Sequence, residues 1–386
     1  MKINRALCCI ISLIISVMFV SCDSKKELSE WPAEIDGLVF EKRAELKYAD
    51  QFEIDRYKDG FSLIQTGNGS RYLIVPEGKA APERLDSDII VISRPVKDIY
   101  IAATSSMGIF EALDCGEAVK FSGTKAEDWY IDYAREAMEQ GDMLYAGKYR
   151  EPDYELLLSG GCGLSIQSTM IEHSPEVKEK LEELGIMVFV DYSSYESHPL
   201  GRSEWIKVYG EIMGKAKEAE RIFNEQADYL KGTNGFESTG KTAVFFYISN
   251  SGQAVTRKSG DYVTNMIELA GGENVFHGLG KGNSSSAVTM EMEKFYETAK
   301  DADFIIYNST IGGEIDTIDE LISKNSLLSD FKAVKEDNVW CTRNNLFQET
   351  MKLGTVISDF NSVFTGNAKN DPPQFLYKLE SGEENE

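Results

Sequence analysis

From Ser203 to Lys231 the chain reads SEWIKVYGEIMGKAKEAERIFNEQADYLK, an unbroken amphipathic stretch near the middle of 386 residues. Apolar side chains recur at Trp205, Ile206, Tyr209, Ile212, Met213, Ala216, Ala219, Ile222, Phe223 and Leu230, the spacing that gathers them on one stripe of a helix. Ser203 is a good N-cap, and Gly232 and Gly235 end the pattern, so the spacing predicts one helix of roughly 40 Å at 1.5 Å per residue. The stretch by itself fits a strut between two lobes and a long surface helix equally well.

What lies on either side favours the strut. Phe52–Ile54, Phe61–Thr66 and Arg71–Val75 read as short strands, with Asn68-Gly69 as a turn between the last two. The pattern then changes to alternation of strand and helix. Strands are expected at 98–103, 119–122, 164–167 and 186–190, and helices at 106–113, 130–139, 154–158 and 175–184. Beyond the long helix the alternation resumes, with strands at 243–248, 304–307 and 338–341. Helices are expected there at 262–270, 291–299, 318–324, 327–331 and 347–364. The fold class is therefore α/β, with two α/β lobes joined by one long helix and a ligand cleft between the lobes. The expected divisions are an N-terminal lobe at 41–201, the connecting helix at 202–232, a C-terminal lobe at 241–366 and a loose acidic tail at 367–386.

Lys2 and Arg5 precede an apolar run, Ala6–Val20, that is short for a membrane span and reads as a secretory signal over residues 1–21. It ends in Phe19-Val20-Ser21-Cys22, which resembles a bacterial lipobox with Cys22 as the lipidated residue, followed by a tether at 22–40. The protein is thus expected in the cell envelope, lipid-anchored to a membrane and facing the periplasm or the exterior. Removal of residues 1–21 takes the formal charge from −24 to −26. So acidic a surface argues against nucleic acid as a partner. Cys115, Cys162 and Cys341 remain in the mature chain, too few for a disulfide framework, although a bridge between Cys115 and Cys162 stays open. His173, His198 and His277 are scattered without metal-ligand spacing, and there is no GxSxG element, so neither a metal site nor a catalytic residue is assigned.

In open α/β sheets ligands lie beyond the carboxyl ends of the strands. The residues there are rich in hydroxyls, amides and aromatic rings. The candidate ligand-binding residues are Ser105, Ser106, Met107, Thr169, Met170, Tyr195, His198, Arg202, Tyr247, Asn250, Asn308 and Arg343. Arg202 could grip an anion, but an Arg at a helix start reads more readily as a structural clamp on loop carbonyls or a nearby carboxylate.

The ordered series Pro95-Val96 before Ile99–Thr104, Phe110–Leu113, Ser165–Met170, Leu184-Gly185-Ile186, His198-Pro199-Leu200-Gly201-Arg202, Glu204–Lys207 and Gly271-Gly272-Glu273-Asn274 resembles the substrate-binding proteins of ferric-siderophore and cobalamin ABC importers. The resemblance runs from about Phe40 to Phe364. It implies a monomeric, non-enzymatic protein with no intrinsic cofactor, whose transported ligand carries iron or cobalt. Ferric siderophore, haem and cobalamin are not separated by it. It also implies delivery to an ABC permease and its ATPase subunits, with a surface glutamate on each lobe meeting basic residues of the permease. Glu155 matches on the first lobe and Glu293 on the second, with Glu291 an alternative. Two other readings remain: a scavenging lipoprotein without its own transporter, and a two-domain cell-envelope enzyme.

Overall fold

The computed structural model describes residues 33–231, 235–280 and 287–381. The predicted signal, Cys22 and most of the tether lie outside the described residues.

The chain opens on a five-stranded sheet of β1 (Phe40–Arg43), β2 (Phe52–Tyr57), β3 (Ser62–Thr66), β4 (Arg71–Val75) and β5 (Ile89–Ser93), in that order across the sheet. The first four strands are antiparallel neighbours and β5 runs parallel to β4. Order begins earlier than the tether boundary at residue 40 implies: the Ala33 N–H already donates to Asp55 Oδ2, and Ile35 is buried.

The first α/β lobe follows as β6 (Ile99–Ile101), α1 (Thr104–Ala112), β7 (Val119–Ser122), α2 (Asp132–Gln140), β8 (Leu144–Tyr145), the hairpin β9 (Gly147–Lys148) and β10 (Glu151–Pro152), α3 (Tyr154–Ser159), β11 (Leu164–Ser168), α4 (Pro175–Glu183) and β12 (Met187–Asp191). Its parallel sheet has the order β12-β11-β6-β7-β8.

The connecting segment is helical but is not one helix. It consists of α5 (Pro199–Glu204), α6 (Ile206–Met213) and α7 (Ala216–Lys231). Gly214 caps α6 in the left-handed region at φ 74° and turns the chain. A Cβ there would sit 2.9 Å from the Arg94 guanidinium. The arm α7 then runs back along α6: a Cβ on Gly210 would lie 2.5 Å from that of Ala219, and Lys207 Nζ sits 4.6 Å from the Phe223 ring centre. The apolar stripe is continuous in sequence because both arms of this hairpin face each other and the same core. Two glycines four residues apart are the signal for the turn, each costing about 1 kcal/mol in a helix interior.

The second lobe contains β13 (Lys241–Ile248), β14 (Ala254–Arg257), α8 (Tyr262–Leu269), β15 (Gly272–Asn274), β16 (Ala287–Met290), α9 (Met292–Ala299), β17 (Phe304–Tyr307), α10 (Ser309–Gly312), α11 (Ile318–Lys324), α12 (Lys332–Lys335), β18 (Val339–Thr342), α13 (Leu353–Phe364) and β19 (Leu376–Lys378). The sheet order is β16-β14-β13-β17-β18-β19, with β15 also on β13. The tail expected to be loose is docked as far as Glu380, through β19 on β18 and a bridge from Thr317 to Glu380. Gly271-Gly272 has a steric role. Gly271 sits at φ 81°, where a Cβ would come within 2.3 Å of the Glu237 carbonyl oxygen, and a Cβ on Gly272 would strike the Phe364 ring.

Strands β13 and β17 are buried on both faces, as expected for parallel strands covered by helices. Phe245 and Ile306 point into a core that continues through α8, α13 and the helical hairpin into the first lobe. Val244, Phe246, Ile305 and Tyr307 point into a separate core on the far face. One apolar core therefore runs through both lobes by way of the connecting helices.

Candidate functional site

The loops that leave the parallel strands of the two lobes meet one another. After β7, the Tyr130 N–H donates to Gln348 Oε1 (2.9 Å) and the Asp128 carbonyl accepts from Gln348 Nε2 (2.8 Å). Asn344, just beyond β18, donates to the Tyr130 hydroxyl (3.0 Å) and to Glu314. Thr350 Oγ1 donates to the Ser105 carbonyl (2.7 Å) in the first turn of α1, and its own carbonyl accepts from Ser203 Oγ (2.8 Å). Strand ends of both lobes thus converge on one interlobe surface, where a ligand of an open α/β sheet is bound.

On the first lobe, beside that surface, lies a recess of about 260 Å³ at the ends of β6, β7 and β8, lined by Ala102, Gly123, Thr124, Lys125, Asp128, Tyr145, Lys148 and Tyr149. Larger hollows of about 470 and 620 Å³ lie beside α2 and between β5 and β12, away from the converging strand ends. Sequence reasoning passed over this recess, although Thr124-Lys125 follows a correctly bounded strand. Its other wall comes from β8 and the β9–β10 hairpin, two-residue strands too short to show a periodicity.

Four of the six buried side-chain polar atoms left without a partner among the described residues belong to Gln167, Asn308 and Asn345. All three sit at or just beyond strand ends, two of them in the second lobe. Buried amides rarely keep unused hydrogen-bonding capacity unless water or a ligand completes it.

The candidate residues divide into two groups. Met170 and Tyr195 are exposed on the first lobe's rim, where Thr169 Oγ1 meets Ser194 Oγ at 3.3 Å and the Tyr192 and Tyr195 rings lie 5.8 Å apart. On the second lobe Asn250 and Arg343 are exposed, and Tyr247 is half-buried against the far core. Ser105 is half-buried and faces the Thr350 contact, and Asn308 is fully buried.

The other four make contacts within the fold. Met107 is core, and Ser106 Oγ donates to the Ala103 carbonyl at 2.7 Å. His198 caps α5, accepting from the Leu200 N–H at 3.1 Å, and stacks on Tyr48. Burial lowers its pKa. Arg202 is buried, with its guanidinium 4.1 Å from the Tyr262 ring centre. Cys115 and Cys162 are free and buried, so no bridge joins them.

Beneath this rim, Glu196 accepts from the N–H groups of Asp50 (2.9 Å) and Gln51 (3.1 Å) and from the Trp205 indole (2.9 Å). Burial pushes its pKa up to about 8 against those three donors, and burial likewise raises Asp359 to about 6. Both groups hold a proton in the folded state that the unfolded chain has already lost, so stability falls as pH rises through this window. His198 acts in the opposite direction below its ordinary pKa. The melting temperature is expected to be higher near about pH 6 than near about pH 9, with Glu196→Gln flattening the decline. A wild-type melting temperature that does not fall over that interval contradicts a protonated Glu196.

A family model described as periplasmic binding protein matches residues 99–346, more than half of the chain. The chain belongs to the periplasmic binding protein family. Members of this family are substrate-binding proteins. The chain is 23% identical to an uncharacterized lipoprotein of Methanocaldococcus jannaschii, over 92% of this chain and 91% of that one. Among solved structures, it resembles a periplasmic binding protein of Veillonella parvula (TM-score 0.59, 19% identity, covering 74% of this chain and 97% of that one). It also resembles the periplasmic haem-binding protein of Vibrio cholerae (TM-score 0.55, 16% identity, 67% and 98%). The β1–β5 sheet of this periplasmic binding protein lies before the matched region.

Proposed function

We propose that this protein is the lipid-anchored solute-binding component of an ABC importer. It captures an iron complex, either a ferric siderophore or haem, or a cobalamin between its lobes and delivers it to a membrane permease. ATP would be hydrolysed by separate subunits. The observation that carries the reading is the convergence of strand ends from two α/β lobes on one interlobe surface, in a chain of this family. Structurally similar proteins include the haem-binding protein above, a vitamin B12 binding protein of Vibrio cholerae and a protein of an Fe3+-hydroxamate transport system from Saccharomonospora viridis. The lysines and tyrosines of the recess suit an anionic, oxygen-rich or aromatic ligand, which Lys125 and Lys148 would meet with charge-assisted hydrogen bonds. Residues 1–21 would be removed as a signal and Cys22 would carry the acyl chains, in keeping with lipoprotein relatives.

Glu155 would dock the first lobe on the permease and Glu293 the second. Glu155 is exposed in the first turn of α3 and Glu293 in the first turn of α9. Glu291 is held by Gln253 Nε2 at 2.6 Å, which favours Glu293 as the carboxylate available to a partner.

The test is fluorescence titration or native mass spectrometry of the mature protein against ferric siderophores, cobalamins and haem. At least one class is expected to bind at micromolar concentration or below, and Lys125→Glu with Lys148→Glu is expected to weaken an anionic ligand by roughly tenfold or more. Failure of all three classes to bind overturns the reading.

A further inference from the structure

We propose that the outer edge of the N-terminal sheet, around Val39 and Phe40, is a lipid-facing surface that holds the tethered body against the membrane in one orientation. The proposal rests on the lipid anchor at Cys22 inferred above. Val39 and Phe40 are 56% and 39% exposed, adjacent in sequence and at the start of the edge strand β1, which has a neighbour on one side only. Other exposed large apolar residues include Tyr130, whose hydroxyl accepts from Asn344 across the lobes, Tyr145 in the recess, and Met170, Tyr195 and Ile311, which follow strand ends. The Val39–Phe40 edge belongs to no such site.

The same edge is where the chain enters the fold. The Ala33 carbonyl accepts from the Tyr57 hydroxyl at 2.5 Å, and the Tyr57 ring meets Phe40 edge-on at 6.1 Å. The Val39 carbonyl accepts from the Lys58 N–H at 2.9 Å. Between Cys22 and Ala33 lie only residues 23–32, so Ala33 cannot be more than about 40 Å from the acylated residue whatever path the chain takes. A body of this size is about 50 Å across. The entry edge is therefore the part of the described fold whose distance from the bilayer the tether limits directly, and it carries the apolar pair.

Charges nearby are of both signs: exposed Lys42 and Lys58 stand against exposed Glu34, Asp36 and Glu41. The edge offers no basic cluster to anionic lipid, so the contact is apolar and insensitive to salt. Two side chains are too small an anchor to bind a free protein, but they suffice to bias one already held at high local concentration by its acyl chains.

The full, lipidated chain is reconstituted in phosphatidylcholine vesicles with an environment-sensitive fluorophore attached through Phe40→Cys, and in a parallel sample through Glu336→Cys on the second lobe. Cys115, Cys162 and Cys341 are buried, Cys8 and Cys9 would leave with the signal and the Cys22 sulfur would carry an acyl group, which leaves the introduced thiol as the one labelled. A quencher carried by the lipids is expected to remove roughly half the emission at position 40, as for side chains seated in the interfacial layer, and little at position 336. High salt is expected to leave the difference unchanged, and Val39→Cys serves as a second labelling site. Equal, weak quenching at both positions on protein that still floats with the vesicles overturns the proposal while leaving the anchor in place. A label already shielded without vesicles, with a doubled mass in light scattering, assigns the edge to a second copy and also overturns it. An N-terminal peptide whose mass shows no acyl chain on Cys22 removes the anchor and the proposal together.

Discussion

Glu204→Ala is expected to cost roughly 3–5 kcal/mol of unfolding free energy, the range found when one partner of a buried charged pair is removed. The side chain is completely buried at the end of α5, and its two oxygens accept from the N–H groups of Lys47, Tyr48 and Ala49 at 2.8–3.1 Å. Lys207 Nζ, also buried, lies 2.7 Å from Glu204 Oε1 and 2.7 Å from the Glu45 carbonyl. Alanine would leave three N–H groups and an ammonium short of an acceptor in a place water does not reach. Each such loss is expensive because burial has already stripped the group of its hydration. Glu196 and Glu211 fasten the same sheet to the same helices, Glu211 through Arg56 at 2.6 Å and Ser62 at 3.0 Å. Neither can take over the donors of residues 47–49. Urea denaturation followed by circular dichroism reads the effect, and a loss below about 1 kcal/mol would mean that water or a shifted loop satisfies these donors.

Reversing both docking carboxylates, Glu155→Arg with Glu293→Arg, is expected to abolish ligand uptake by cells while leaving ligand affinity of the purified protein unchanged. Both side chains are exposed at helix starts, so the substitutions disturb no core. In the proposed complex, opposite charges at two separated points would set the register, and arginine against the basic permease surface expected there would turn each attraction into repulsion. Uptake measured with radiolabelled ligand, beside equilibrium binding of the purified double variant, separates docking from capture. Uptake at the wild-type rate removes the docking assignment. Affinity that falls in parallel with uptake would instead place one of these residues in the ligand surface.

The α/β architecture was legible because its signals are local. Val119–Ser122, Phe304–Tyr307 and Ile318–Lys324 have the bounds expected of them, since a buried strand or a capped helix declares itself within a few residues. Elements that depend on a distant neighbour were not legible. Strand β19 exists because Cys341 and Trp340 offer it an edge, and β1 because β2 does. The site was only partly legible for a related reason. Strand ends predict which residues lie near a cleft, but the direction a side chain takes from there depends on packing. Ser106, Met107, His198 and Arg202 all follow strand ends or begin helices, yet each turns inward to a carbonyl, the core, an N–H or a ring.

The stretch from Ser203 to Lys231 marks the boundary between the two kinds of information. Its composition and spacing alone determined that it is helical and that the apolar stripe is buried, because the period of such a stripe is a property of the chain itself; that Glu204, Lys207 and Glu211 on the other face of the first arm are buried as well was decided by the tertiary structure. Whether that stripe faces along one straight axis or folds back on itself was decided by tertiary contacts. Gly214 is free to adopt φ 74°, Gly210 lets Ala219 approach, and Arg94 occupies the space a side chain at 214 would need. A straight helix would leave half of the stripe facing water, whereas the hairpin buries both arms in the core that joins the lobes.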